Sequence, residues 1–187
     1  MQSRWAYGKL RGLRNLNLRF KTGALTMPHI IRLRGPWNLT PLARTGLRAD
    51  GTLVDLGGPL PSACRTTVPS DWGQSLGVDF RGRVRYSRRF HQPTGMAEIE
   101  RIDLVIQRVD ALGGVWLNGR LLGEIPLGFV EFRTEIKERL ARYNLLEVQV
   151  ECPEWINDGT GEPRGQRTGL PGGLVGEVLL EITNRQT

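Results

Sequence analysis

Apolar and polar residues alternate with a period of two in several segments of the chain. In the segment 83–91, Val84 and Tyr86 alternate with arginines, and the segments 102–107 and 146–151 alternate in the same way. Successive side chains of a β-strand point to opposite faces of the sheet, so each pattern is typical of a half-buried strand. We therefore expect a sheet structure in which one face of each strand contributes to a core.

The pair Asn118–Gly119 stands between two apolar runs. A two-residue hairpin turn of type I′ needs a positive φ at both central positions, and Asn-Gly is a sequence that favours this turn. The stretch therefore predicts a tight β-hairpin. Because Trp37 and Trp116 lie within predicted strands, we expect both to be core residues.

Glycine and proline are frequent, with 24 and 11 residues, so long regular helices have little uninterrupted room. One polar helical turn is predicted from about Glu135 to Arg142, with Thr134 as its N-cap. The other predicted strands are 30–33, 37–43, 52–56, 64–68, 129–133 and 174–182. This number of short strands indicates an all-β domain, either a sandwich or an open barrel.

The formal net charge of +7 is concentrated at the N-terminus. Residues 1–26 contain six lysines and arginines and no acidic residue, so the rest of the chain is nearly neutral. We divide the chain into a basic extension, 1–28, and a folded domain, 29–187. The extension fits a basic arm on nucleic acid, an Arg-rich targeting segment, or a disordered or artefactual stretch upstream of a start at Met27, and the last is favoured. The folded domain is therefore not expected to bind nucleic acid.

No apolar run in the sequence is long enough for a secretory signal or a membrane span. A cytoplasmic protein without membrane contact is therefore expected, and Cys64 and Cys152 should be free thiols in a core. The cysteines and the two histidines, His29 and His91, are scattered, so no metal site is expected. Glycine-rich stretches lack the spacing of phosphate-binding loops. No cofactor is predicted, and a structural Ca²⁺ held by aspartates and carbonyl groups is left open.

Five motifs follow one another along the chain. They are Val68-Pro69…Trp72…Tyr86-Ser87-Arg88-Arg89-Phe90, Val115-Trp116-Leu117-Asn118-Gly119…Gly123, Gly128-Phe129…Glu135-Ile136, Asn144-Leu145-Leu146-Glu147-Val148-Gln149-Val150 and Gly172-Gly173-Leu174…Val178. In this order they resemble the N-terminal sugar-binding domain of family 2 glycoside hydrolases, the β-galactosidase and β-glucuronidase family. The resemblance extends from about Ile30 to Ile182. Ser87, Glu135 and Gly176 depart from the family pattern, and Gly176 stands where the family usually has an arginine near its substrate-facing edge.

This resemblance implies a jelly-roll β-sandwich of the galactose-binding-like type, which the predicted strands allow. In that family the catalytic acid and nucleophile are two glutamates on a separate (β/α)₈ barrel, which takes about 250 residues. Only five residues follow Ile182 in this sequence. The resemblance therefore implies a non-catalytic domain, an accessory to glycoside hydrolysis rather than an enzyme.

The segment 155–171 is predicted to be a long loop of glycine, proline and polar residues, and long loops are often functional. An aromatic ring can stack on the C–H face of a sugar while polar side chains hold its hydroxyl groups. Trp72, in a second long loop at 69–82, is another candidate ring or, alternatively, a lid of the core. The predicted carbohydrate-binding residues are Trp155, Asn157, Asp158, Arg164, Arg167 and Trp72, and no catalytic residue is predicted.

Two functions from different classes remain. The first is a stand-alone carbohydrate-binding sandwich, whose partner is a saccharide. The second is a structural or protein-interaction domain that docks a separate glycoside hydrolase subunit and has lost sugar binding. Binding of any saccharide by the purified protein would favour the first function.

Overall fold

The structure is a computed structural model, and it describes residues 28–109, 112–126, 131–156 and 172–185. The strands in these residues are β1 His29–Arg32, β2 Trp37–Ala43, β3 Thr45–Leu47, β4 Leu53–Asp55, β5 Cys64–Thr66, β6 Ser70–Asp71, β7 Gly82–His91, β8 Ile99–Ile106, β9 Leu112–Leu117, β10 Arg120–Ile125, β11 Phe132–Glu135, β12 Tyr143–Cys152, β13 Glu154–Trp155, β14 Gly173–Leu174 and β15 Val178–Asn184. The helical elements are α1, Gly73–Leu76, and a 3₁₀ turn at Lys137–Arg139.

Two antiparallel sheets enclose the core. The strand order is β10-β9-β12-β7-β2-β5 in the six-stranded sheet and β1-β15-β8-β11 in the four-stranded sheet. Tyr86, Val115 and Val148 of the first sheet and Leu104 and Leu180 of the second are buried in one hydrophobic cluster. The predicted all-β sandwich is confirmed.

Strand β7 shows the predicted alternation. Val84 and Tyr86 are fully buried, whereas Arg83 and Arg85 on the other face are half-exposed. Burial raises the pKa of the Tyr86 hydroxyl because the core disfavours a phenolate. Strand β12, which pairs with β7, alternates in the same way, with Val148 pointing inward. The outer face of the six-stranded sheet therefore carries the polar side chains of both strands.

The predicted hairpin is confirmed by strands β9 and β10. Its two turn residues, Asn118 and Gly119, have φ angles of 52° and 77°, as a type I′ turn requires. Val115 and Leu117 in the first arm are buried in the core, while Leu121 in the second arm is exposed.

The predicted polar helix at 135–142 is wrong. Strand β11, Phe132–Glu135, pairs with β8, and only Lys137–Arg139 forms a 3₁₀ turn. Thr134, the predicted N-cap, lies inside β11. Ile136 is buried in the core directly after that strand, so packing and strand pairing prevail over the polar composition of the segment.

The predicted last strand at 174–182 is divided between two sheets. Strand β14 pairs with β6, and β15 pairs with β8. The segment 69–82, predicted as a loop, contains β6 and helix α1. These short elements form because the chain closes over Trp72, and the backbone of Gly172 passes so close to its indole that a Cβ there would collide with the ring.

Cys64 and Cys152 are free thiols, the first half-buried and the second buried. Burial raises the pKa of the Cys152 thiol because the core disfavours a thiolate. Among the helical elements of the described residues, none has the length and apolar composition needed to cross a bilayer.

Candidate functional site

The predicted loop site is described only at its start. Trp155 ends strand β13, which pairs in parallel with β3, and the residue is half-buried. Trp155 therefore belongs to a short strand rather than to a loop, and its role in binding stays a prediction. The other predicted loop residues lie outside the described residues: Asn157, Asp158, Arg164 and Arg167.

Trp72 lies in the core. It is fully buried, its Nε1 donates a hydrogen bond to the carbonyl of Phe80 at 3.2 Å, and its ring meets that of Phe80 edge-on with centroids 6.0 Å apart. An indole enclosed in this way has no face available for a sugar. We therefore leave Trp72 out of the site, and its alternative role as a core residue is the one its position supports.

Trp116 lies on the outer face of the six-stranded sheet, so its prediction as a core residue is wrong. Its neighbours in β9, Val115 and Leu117, point into the core, whereas Trp116 is half-buried. Because side chains alternate along a strand, burial of both neighbours places the indole on the opposite side. The period of two in the sequence is the signal that could have found this residue.

The indole of Trp116 lies over Gly114 in the same strand. A Cβ at position 114 would collide with the ring carbon Cη2 and would lie 2.8 Å from Cζ3 and 3.3 Å from Cζ2. The six-membered ring therefore lies close to the backbone of β9 and can do so only because position 114 has no side chain. Any larger residue at this position would force the ring away from the sheet.

Two polar side chains flank this ring. In the register of the sheet, Gly114 is paired with Glu124 of β10 on one side and with Gln149 of β12 on the other. Directly opposed residues of antiparallel strands project to the same face, with Cβ atoms about 4.5–5.5 Å apart. The Trp116 ring thus lies between a carboxylate, which accepts hydrogen bonds, and an amide, which both donates and accepts them.

A charged network lies next to Trp116, Glu124 and Gln149. Glu151 of β12 accepts a hydrogen bond from the Thr45 hydroxyl and another from Arg83 Nε, at 2.5 Å. The Glu151 side chain is only 11% exposed, so these donors take the place of the water that burial removes. A second carboxylate, that of Asp55, lies 4.0 Å from Arg83 Nη2. The network therefore holds the Arg83 guanidinium in place beside these residues.

These side chains border one cavity on the outer face of the sheet, which we call the Trp116 cavity. Its volume is about 630 Å³, and small-molecule sites typically measure roughly 300–1,000 Å³. The lining residues are Arg83, Leu112, Gly113, Gly114, Trp116, Glu124, Ile125, Pro126, Gln149 and Glu151. An aromatic ring bordered by a few donors and acceptors is a lining typical of small-molecule sites.

A second cavity, of about 310 Å³, lies beside the hairpin turn, where Tyr143 is exposed. Its two amide side chains are already engaged within the protein. Asn118 donates to Asn144 Oδ1 at 3.0 Å and accepts from the Leu145 amide at 2.9 Å, while Asn144 donates to the Ala141 carbonyl at 2.7 Å. Because these two amides hold the turn, they keep little hydrogen-bonding capacity for a ligand.

The chemistry of the Trp116 cavity is suited to binding. Of its two carboxylates, that of Glu151 is committed to Thr45 and Arg83 as an acceptor. In the residues that the structure describes, no group of three or more His, Cys, Asp or Glu side chains could hold a metal ion.

The two sheets and their shared core define an all-β sandwich. More particularly, residues 78–168 match the family model for the glycosyl hydrolase 2 galactose-binding domain-like family. This match confirms the resemblance that the sequence motifs indicate. Every residue that lines the Trp116 cavity, from Arg83 to Glu151, falls inside the matched segment. No curated protein matches the chain.

Solved structures of whole enzymes contain the same fold. A β-glucuronidase of Bifidobacterium dentium, complexed with coumarin-3-O-glucuronide, superposes with a TM-score of 0.61 at 21% identity over 86% of this chain and 31% of its own. A Faecalibacterium prausnitzii β-glucuronidase superposes with a TM-score of 0.61 at 20% identity, over 94% of this chain and 33% of its own. A family 2 β-galacturonidase of Eisenbergiella tayi, bound to galacturonate, superposes with a TM-score of 0.58 at 20% identity, over 83% of this chain and 25% of its own. The chain therefore spans a third or less of these proteins, and the likeness concerns the fold.

Proposed function

We propose that this chain is a non-catalytic carbohydrate-binding β-sandwich and that it holds its ligand in the Trp116 cavity. The observation that carries this proposal is the position of the Trp116 indole over Gly114, between Glu124 and Gln149. An aromatic ring on the outer face of the sheet, bordered by polar side chains, matches a pyranose, which has an apolar C–H face and a rim of hydroxyl groups.

The contacts of a bound sugar follow from this arrangement. The C–H face of the sugar stacks on the Trp116 ring, and the hydroxyl groups at its rim reach Glu124 on one side and Gln149 on the other. Arg83, whose Nε binds Glu151, also lines the cavity and has further N–H donors. Three polar groups around one ring are sufficient to fix the orientation of a ligand.

Affinity of the Trp116→Ala variant for saccharides tests this site. Saccharides that bind the parent in a glycan panel should bind this variant at least about tenfold more weakly, because a buried aromatic contact dominates such interfaces. Gly114→Ala should also weaken binding, since it keeps the indole but displaces it. Titrations followed by NMR shifts measure the affinities, and thermal melting confirms that each variant folds.

Trp155→Ala is the matched control, and it separates the two candidate sites. Unchanged affinity in this variant together with loss in Trp116→Ala supports the Trp116 cavity. The reverse result would contradict it and favour the segment that begins at Trp155. If the parent protein binds no saccharide in the panel, the result would favour the alternative, a domain that docks a glycoside hydrolase subunit. Turnover of nitrophenyl glycosides by the purified protein would show that the domain is catalytic.

A further inference from the structure

The electrostatic character of the Trp116 cavity bears on which sugars can enter it. Among the described residues, one positive and two negative side chains line the cavity, namely Arg83, Glu124 and Glu151. Arg83 and Glu151 form a close ion pair at 2.5 Å, so their charges largely cancel. The remaining charge of the lining is that of Glu124.

Glu124 stands at the position where it affects a ligand most directly. It is exposed and is paired across the strands with Gly114, over which the Trp116 ring lies. Within the described residues, no ion pair includes Glu124. A sugar stacked on the indole therefore has at its edge a carboxylate that forms no ion pair with any described residue.

We infer that the Trp116 cavity selects its sugar by charge, accepting neutral and amino pyranosides and discriminating against uronic acids. This inference rests on the proposed function and names the substrate class of the same site. A neutral sugar can donate a hydroxyl hydrogen bond to the Glu124 carboxylate, and the ammonium group of an amino sugar can form an ion pair with it. The carboxylate of a uronic acid meets the like charge of Glu124 there. Arg83 can still donate a hydrogen bond to it, but Glu151 already compensates the positive charge of the guanidinium, so the net attraction is small.

The test compares matched methyl β-pyranosides that differ in one group. Neutral, uronate and 2-amino sugars of the gluco and galacto series are titrated into the protein and followed by NMR shifts. In about 10 mM salt, where charges act over roughly 30 Å, the uronate should bind about fivefold more weakly than its neutral counterpart, and the amino sugar more tightly. In about 1 M salt the differences should shrink, because the screening length falls to roughly 3 Å.

Glu124→Gln should remove the difference in affinity between the uronate and its neutral counterpart, because the amide keeps the shape of the side chain without its charge. The affinity for the neutral sugar should itself fall, since a neutral amide is a weaker acceptor than a carboxylate, so the ratio of the two affinities is the readout. Glu100→Gln is the control, since it removes the same charge from an exposed position of β8 in the other sheet. This control should discriminate as the parent does.

The outcomes separate this inference from the proposed function. If a uronate binds as well as or better than its neutral counterpart, or if Glu124→Gln leaves the discrimination unchanged, selection by charge is overturned while sugar binding stands. If no pyranoside binds, both fall. The salt dependence of the unmodified protein is independent of the folding of any variant.

Discussion

The two turn residues of the hairpin, Asn118 and Gly119, stabilise it in different ways. Asn118 adopts a positive φ in the turn, and its side chain also binds Asn144 and the amide of Leu145 on the neighbouring strand β12. Gly119 contributes only its backbone, because no described atom lies within 4 Å of where its Cβ would be. The two positions therefore resist substitution for different reasons, one through hydrogen bonds and the other through backbone conformation.

Gly119→Val should lower the free energy of unfolding by about 1–3 kcal/mol, since a β-branched residue is strained at a φ of 77°. Urea denaturation measures the loss. Arg120→Val is the control, because the neighbouring position is exposed and extended in β10, and its effect should stay within about 0.5 kcal/mol. A loss below about 1 kcal/mol for Gly119→Val would show that the turn tolerates a side chain at this φ.

At the scale of elements, strand β12 joins the core to the candidate site. It pairs with β7 over its whole length, from Tyr143 to Cys152, and with β9 on its other side. Its inward side chains fill the core, while Glu147, Gln149 and Glu151 project from the outer face. The register of this one strand therefore sets which polar groups stand beside the Trp116 ring.

Glu151→Ala should destabilise the domain by about 1.5–3 kcal/mol, because it leaves Thr45 and Arg83 without their acceptor. Glu147→Ala is the matched control on the same face of β12. Its ion pair with Arg85 is longer, at 3.7 Å, and more exposed, so its loss should cost less than about 1 kcal/mol. Equal effects of the two substitutions in chemical denaturation would show that the Glu151 network contributes no more than a surface pair.

At the scale of the whole molecule, the described fold begins with strand β1. This strand pairs with β15 at the edge of the four-stranded sheet, and Leu33, which follows it, is buried. The carbonyl of Leu33 also accepts a hydrogen bond from Trp37 Nε1 at 2.7 Å. The domain therefore needs the chain from about residue 29 onward, while the six basic residues of 1–26 lie outside the described part.

Deletion of residues 1–26 should change the melting temperature by no more than about 2 °C, because a basic segment without acidic partners has little with which to dock on the sandwich. Deletion of residues 1–34 is the contrasting variant. It removes β1 and Leu33 and should lower the melting temperature by at least about 5 °C. Differential scanning calorimetry measures both melting temperatures. A melting temperature several degrees lower in the shorter deletion would mean that the basic segment packs on the domain.

The sandwich could be predicted from the sequence because its signals are local. The alternation around Val84 and the turn at Asn118–Gly119 depend on neighbouring residues, so they indicate strands and a hairpin without knowledge of the rest. The resemblance to the family rested on five short motifs and on their order along the chain. The polar segment after Thr134 was misleading because its strand is stabilised by pairing with β8, a contact distant in sequence.

The site, in contrast, was decided by the tertiary structure. Trp116 lies over Gly114, and Glu124 and Gln149 stand beside it, because strands β10, β9 and β12 pair in one register. No local pattern specifies that register, since it arises from the packing of the inward faces of all the strands at once. The alternation in the sequence by itself determined which residues point outward in strands such as β7 and β12, and only the assembled sheet determined which of them meet.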